Sequence, residues 1–423
     1  MPKTTFTWRC RVQIAVCQSV FRFVTLFSVH HLMKSTLTIS VVFLFLSSFQ
    51  MFVAAERPAF VCEPAKDWTA LFDRTDGWLA GDGIFSFGME GNSKQGSANE
   101  HSKTIFVFSD SLIGGVNPDG SYKSGLVMVN HAVAVLAGDK PDQAKMQFFH
   151  NTNAEGRPSN LFDRHYWLGD GIVIDSVMYI TGVVVDPKTW SMTGPWMIEI
   201  PIRNEQLQFS ETKTKPVALF DKQGSYEVLL GVGICDQGED IYVYGFRDRR
   251  GEPFYRRQLV VAKAPRQTYS DILTWRFWSG NRWSESIADC NHDRAALAEA
   301  MSNELSVTQM IGGRYDGKFI LVYTEGCIGT KLNFAIADKP NAKFSKTTTF
   351  YECPEPKLFD KEIKEKYGPK AVVYTYNAKA HPRLSKPDEL LVSYNLNTMG
   401  LQEGFIFAEA KYGFPRFALL KLP

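Results

Sequence analysis

The sequence has no Cys-x-x-Cys pair, no basic run interleaved with aromatics, and no Pro/Gly/Ser linker or low-complexity block after about Glu56. The first absence argues against zinc-ribbon and thioredoxin chemistry. The second argues against a nucleic-acid surface, and a net charge of +2 over 423 residues points to no charged partner of either sign. The third leaves nothing to divide the chain into separate domains. Helical periodicity is scarce too: only residues 293–301 read as a helix, with Asn291 as cap.

What the chain does have is a repeat. Trp78-Leu79-Ala80-Gly81-Asp82-Gly83-Ile84-Phe85-Ser86 returns in reduced form as Tyr166-Trp167-Leu168-Gly169-Asp170-Gly171-Ile172-Val173-Ile174. Each copy leads through a turn into a second β-prone run, 103–110 and 177–182. Weaker copies occupy 226–245, 303–323 and 377–395. Hairpins returning every roughly 60 to 90 residues have the period of a four-stranded propeller unit with its loops. The pattern predicts an all-β, five-bladed β-propeller of four-stranded antiparallel blades, the one helix being an insertion before blade four.

The first 55 residues differ from the rest. Lys34 precedes an apolar run over 37–53, and Val53-Ala54-Ala55 places small residues at the positions a signal peptidase requires. A signal peptide starting at Met33 and cleaved after Ala55 is expected, with 56–423 as a single domain; an uncleaved anchor is the competing reading of the same run. Export makes the protein secreted or periplasmic, without a stable membrane span after cleavage, and a monomer is expected. Five of the seven cysteines, at 62, 235, 290, 327 and 353, remain after cleavage and allow at most two disulfides. Pairing of Cys290 with Cys327 or Cys353 fits the spacing, which does not choose between them.

In a propeller the innermost strands line a central channel, so the residues heading them become neighbours. Counting back from each hairpin gives Asp82, Asp170, Val232, Glu304 and His381. Buried carboxylates without a partner are costly, and such a set is usually paired, metal-bound or functional. Glycoside hydrolysis needs one carboxylate as base or nucleophile and another as proton donor, and a third can raise the donor's pKa. Asp82 fits the base, Asp170 the helper and Glu304 the acid, with Glu227 in reserve as acid. Trp78 and Trp167 offer flat faces for sugar rings, and Asn377, His381 and Asn395 are candidate sugar contacts. Each has a structural reading beside this one: Gly-Asp-Gly is a common turn, tryptophans are often core, and a histidine before Pro382 suits a core position. Asp110 reads as structural and Arg256-Arg257 as a solvated strand edge. No arginine stands at an aligned strand head, which argues against a phosphate-using enzyme. The main rival is a non-catalytic glycan-binding propeller; a scaffold for protein partners is the third.

The set Gly81-Asp82-Gly83, Phe106-Val107-Phe108-Ser109-Asp110, Trp167-Leu168-Gly169-Asp170-Gly171, Asn303-Glu304-Leu305-Ser306-Val307, Tyr376-Asn377-Ala378-Lys379-Ala380-His381-Pro382 and Leu391-Val392-Ser393-Tyr394-Asn395 resembles bacterial five-bladed propeller families of unknown function (DUF4185-like). One branch of these is associated with endo-D-arabinan hydrolysis. More distantly, the layout is similar to the arabinanase, β-xylosidase and levansucrase propellers. The resemblance implies an oligosaccharide or polysaccharide substrate of arabinan type with furanosidic or related linkages. It also implies an inner-strand Asp as base, a helper Asp in blade two and an acid in blade three, where this chain instead has Val232 and offers Glu304 one blade later. No cofactor is required by it, while calcium in the channel beside His381, through water, is allowed by it.

Overall fold

The computed structural model describes residues 59–423, apart from 187, 189–191, 224–225, 250–255 and 402–408. The expected signal peptide, its cleavage site, Cys10 and Cys17 lie outside the described residues. Among the described residues no helix is long and apolar enough to cross a membrane.

Among the described residues, the β-prone runs fold into five antiparallel sheets of four or more strands, with a two-stranded and a three-stranded sheet beside them. The first sheet orders Phe85–Gly88, Lys103–Phe108, Ala132–Ala137 and Met146–Phe149. The second begins with Tyr166–Ile174, the third contains Tyr226–Asp236 beside Asp240–Arg249, and the fourth begins with Leu305–Gln309. The fifth is composite: Val372–Ala380, Glu389–Met399 and Arg416–Lys421 are joined by Val61–Pro64, the first described strand. Val61 stands opposite Lys421 and Pro64 opposite Ala418, so backbone hydrogen bonds join the first and last described strands.

The sheets bury apolar side chains against one another, which is why a strand such as Phe319–Thr324 is buried along its whole length rather than on alternate residues. One strand of each sheet touches one of the next in succession, and these are called first strands here: Phe85–Gly88 against Tyr166–Ile174, then Tyr226–Asp236, Leu305–Gln309 and Val372–Ala380. Side chains stitch these strands together at the backbone. Ser109 Oγ accepts from Leu168 N at 3.0 Å, Asp170 Oδ2 from Ile234 N at 2.8 Å, and Ser306 Oγ from Ala380 N at 2.8 Å. Between the fifth and first sheets, His381 Nδ1 lies 2.7 Å from Ser86 Oγ.

Three of the first strands carry register shifts, between Leu168 and Gly171, Leu230 and Gly233, and Tyr376 and Lys379. A bulge turns the following side chains toward the opposite face. Alternation counted along these strands therefore fails at the level where the polar residues sit.

Two expectations are corrected here. Residues 293–301 do not form a helix: Ile287–Cys290 and Asp293–Ala295 are 3-10 turns, and the chain then runs extended. Leu297 N donates to Leu259 O at 2.8 Å and Leu259 N to Ala298 O at 2.9 Å, so pairing with a strand edge outweighs helix propensity. Among the described residues the α-helices are instead Lys66–Phe72, Glu355–Leu358 and Asp360–Tyr367. The disulfides expected for Cys290 are also not formed. Cys62, Cys235, Cys290, Cys327 and Cys353 are free thiols, and Cys290, Cys327 and Cys353 belong to different parts of the core, with only Cys62 packed beside Cys353.

Candidate functional site

Asp82 sits where the chain breaks between the strands Asp76–Gly81 and Phe85–Gly88. Its backbone is clamped: Asp82 N donates to Asp110 O at 3.1 Å and Ser109 N to Asp82 O at 2.8 Å. Gly83 follows with φ +64°, and a Cβ there would lie 2.7 Å from Ser109 Oγ, so the turn needs glycine. Asn395 is fully buried and donates through Nδ2 to Gly81 O at 2.9 Å. It therefore supports the Asp82 turn and is not a sugar contact.

The Asp82 carboxyl opens onto a cavity of about 370 Å³, whose wall also includes Trp167, Glu304, Tyr376 and Asn377. Tyr376 Oη donates to Asp82 Oδ2 at 2.9 Å. Asn377 is held at φ +57° within the bulge of its strand and donates through Nδ2 to Glu304 Oε1 at 3.1 Å. The other carboxylate oxygen of Glu304 is paired with the ammonium of Lys379. Lys379 is 1% exposed, and its Nζ also lies 4.1 Å from the centre of the Phe85 ring. Tyr376 and Lys379 flank Asn377 in the 376–382 segment, and strand alternation alone gives neither a place at the site. Only the bulge brings residues 376, 377 and 379 to one site.

The two carboxyls stand in different electrostatic settings. Burial, then the nearby carboxylates of Asp110 and Glu304, hold the Asp82 pKa well above the usual carboxylate range, against the opposing effects of Tyr376 and Lys379. Burial also raises Glu304, but there the Lys379 charge and hydrogen bond favour the ionised form. The proton thus rests more readily on Asp82 than on Glu304.

Asp170 lies elsewhere. It lines a second cavity of about 330 Å³ together with Ser86, Asp236, Gln237 and Thr308, and not the Asp82 cavity. Both its oxygens accept backbone N–H groups, from Gly171 and Ile234, each at 2.8 Å. Burial nevertheless pushes its pKa up to about 7. The carboxylate that bears most on Asp82 is Asp110, read from the sequence as merely structural. Asn130 Nδ2 donates to Asp110 Oδ1 at 3.2 Å, and His165 Nε2 is 3.9 Å from the same oxygen.

Of the remaining candidates, Trp78 is 2% exposed and packs against Phe72, Phe108 and Phe148, with its Nε1 donating to Ser111 Oγ. It is a core residue and offers no sugar platform; Trp167 is the tryptophan on the cavity wall. His381 is fully buried, with Nδ1 on Ser86 Oγ and Nε2 2.8 Å from Ser393 Oγ. Both nitrogens are engaged, so it neither contacts sugar nor serves a metal, and burial lowers its pKa to about 3. Among the described residues no group of three or more His, Cys, Asp or Glu side chains could hold a metal ion. Glu227 lines neither cavity and lies 3.9 Å from Lys222 Nζ. Arg257 is not on a solvated edge: it is 4% exposed and part of the Asp82 cavity wall.

Fold and site together define an all-β protein whose sheets meet around a carboxylate-lined cavity. The chain belongs to the domain-of-unknown-function family DUF5005, which matches residues 65–420. No curated protein matches the sequence. Among solved structures, a presumed hydrolase from Bacteroides ovatus ATCC 8483 superposes with a TM-score of 0.60 at 17% identity, over 86% of this chain and 92% of that one. This likeness is one of fold. The GH43_1 enzyme of Xanthomonas citri complexed with xylotriose gives a TM-score of 0.41 at 10% identity, over 85% and 90% of the two chains. A thermostable family-43 glycoside hydrolase gives 0.39 at 12%, over 82% and 90%. These last two superpose too loosely to bear on function.

Proposed function

We propose that this protein is an exported glycoside hydrolase built as a five-bladed propeller, each of the five large sheets being one blade. The observation that carries the proposal is the pairing of Asp82 and Glu304 on one cavity, the first poised to hold a proton and the second to hold a charge. Asp82 then donates its proton to the leaving glycosidic oxygen. Water attacks the anomeric carbon as its own proton passes to Glu304, and proton exchange with solvent resets the pair. This reverses the acid and base roles expected from the sequence. It also gives the task of raising the acid's pKa to Asp110 rather than Asp170, which acts as a staple between two strands. Lys379 keeps Glu304 ionised, Asn377 orients it, and Trp167 supplies an apolar face for a sugar ring.

Arabinan-type polysaccharides with furanosidic linkages are the first substrates to try. The test is product release from arabinan, xylan, fructan and galactan by the wild type, Asp82→Asn and Glu304→Gln. Each variant should lose about a hundredfold or more in kcat, the scale on which general acid and base groups act. Full activity in either variant, with the fold intact, would sink the acid/base pair. Binding of one glycan by all three proteins without cleavage would favour a binding module.

A further inference from the structure

The cavity that holds Asp82 and Glu304 is two-sided. Its polar side chains stand mostly at the first, fourth and fifth sheets: Asp82, Glu304, Tyr376 and Asn377. The second and third sheets contribute apolar ones, Trp167, Val183, Met192, Leu230, Val232 and Phe246. Val183 and Met192 are only half-buried: they pack against the core that holds Leu229, Val232 and Phe246 and leave apolar surface on the cavity. Among the described residues, the polar side chains on this half, the Trp167 indole aside, are already engaged. Thr181 Oγ1 donates to Gly231 O, and Arg257 is held by Asp248, Cys327 and the Phe246 ring. The backbone is engaged as well: Leu168 N donates to Ser109 Oγ at 3.0 Å and Leu230 N to Leu219 O at 2.9 Å. A hydroxyl-rich ring laid here would give up its water and find few partners in return, whereas a hydrocarbon group gains by leaving water. Ser109 ties this half to Asp82, because its N–H donates to Asp82 O while its Oγ accepts from Leu168 N. The apolar wall therefore begins beside the proton donor.

We infer that this half of the cavity is an aglycone site, so that the substrate carries an apolar, hydroxyl-poor alkyl or aryl group on the oxygen that leaves. This inference rests on the hydrolase reading of Asp82 and Glu304 and names the class of leaving group. The sugar to be released lies against the polar half and Trp167, while Val183, Met192 and Val232 are specificity-determining residues for the aglycone. At about 370 Å³ the cavity is of the size of a small-molecule site.

The experiment uses methyl, propyl, butyl and 2,3-dihydroxypropyl arabinofuranosides, in both the D and L series and both anomers, with wild type, Val232→Thr and Met192→Gln. In the wild type kcat/KM should rise about threefold or more for each added methylene, the scale of one buried methylene. The propyl glycoside should be preferred to its dihydroxypropyl counterpart by about tenfold or more, the scale of two hydroxyls left without partners. Val232→Thr keeps the β-branched shape and puts a hydroxyl in the wall. Met192→Gln alters a half-buried side chain and keeps the test open should Val232→Thr fail to fold. Each should flatten the rise with chain length. A flat series in the wild type, or preference for the dihydroxypropyl glycoside, overturns the inference and leaves the hydrolase intact. So does an unaltered rise in both variants, or cleavage of a polysaccharide and of no alkyl glycoside. If the wild type cleaves nothing but binds the butyl glycoside more tightly than the methyl one by calorimetry, and the variants lose that difference, the hydrolase reading falls and the apolar site stands. Absence of both binding and cleavage overturns both.

Discussion

At the scale of single residues, the site turns on who neighbours each carboxyl. Glu304 and Asp82 share a cavity, and the ammonium of Lys379 on Glu304 is what separates their protonation. Replacing Lys379 with Met removes the charge that holds Glu304 ionised, so the Glu304 pKa rises. The acid limb of the pH–rate profile, where activity grows as Glu304 loses its proton, should then move to higher pH by about one to three units. An unmoved limb in a folded variant would show that Glu304 is not the ionised partner. Asp82 and Glu304 were legible in the sequence as acids at equivalent places in the hairpin repeat, a signal that Asp170 shares although its oxygens are spent on the backbone N–H groups of Gly171 and Ile234. Lys379 and Arg257 were not, since a lysine or arginine in a strand ordinarily lies on a solvated face; here both are buried beside carboxylates more than eight residues away in sequence, Glu304 and Asp248.

At the scale of elements, the first strands approach one another so closely that glycine becomes obligatory. Gly169 sits in the bulged part of Tyr166–Ile174, and a Cβ there would lie 2.1 Å from Gly231 O and 2.7 Å from Thr181 Oγ1. Both of those atoms belong to structure around the cavity wall. Gly169→Ala should therefore push two sheets apart, costing about 1–3 kcal/mol or more, read as a lower denaturant midpoint, and should lower activity as well. The hairpins themselves were readable from their turn residues and β-branched runs. The bulges were not, because they come from the fit between neighbouring sheets and leave no mark in the alternation of any single strand. That is why Asp170, aligned in sequence with Asp82, faces the other cavity.

At the scale of the whole molecule, the fifth sheet joins the two ends of the described part of the chain. Val61–Pro64 pairs with Arg416–Lys421, Glu63 pairs with Lys421 at 2.6 Å, and Cys62 packs against the core of the fifth sheet. A chain beginning at Ala65 should melt several degrees below one beginning at Glu56, because it loses this ladder and exposes the Arg416–Lys421 edge. An unchanged melting temperature would mean that the closing strand adds nothing to stability. Cleavage after Ala55, as expected from the N-terminal pattern, would leave the closing strand in place.

The sequence alone determined the β-rich architecture, the repeating hairpins and the two carboxylates that share a cavity. These are local properties: strand propensity, turn chemistry and the position of an acid at a strand head. Only the tertiary structure decided that Glu304 and not Asp82 receives the Lys379 ammonium, that Asp110 outranks Asp170 as a neighbour of Asp82, that Trp78, His381 and Asn395 belong to the scaffold, and that an arginine stands in the cavity wall. Each of these depends on burial and on charges brought together from distant parts of the chain, and such distances are set only when the sheets close around one another.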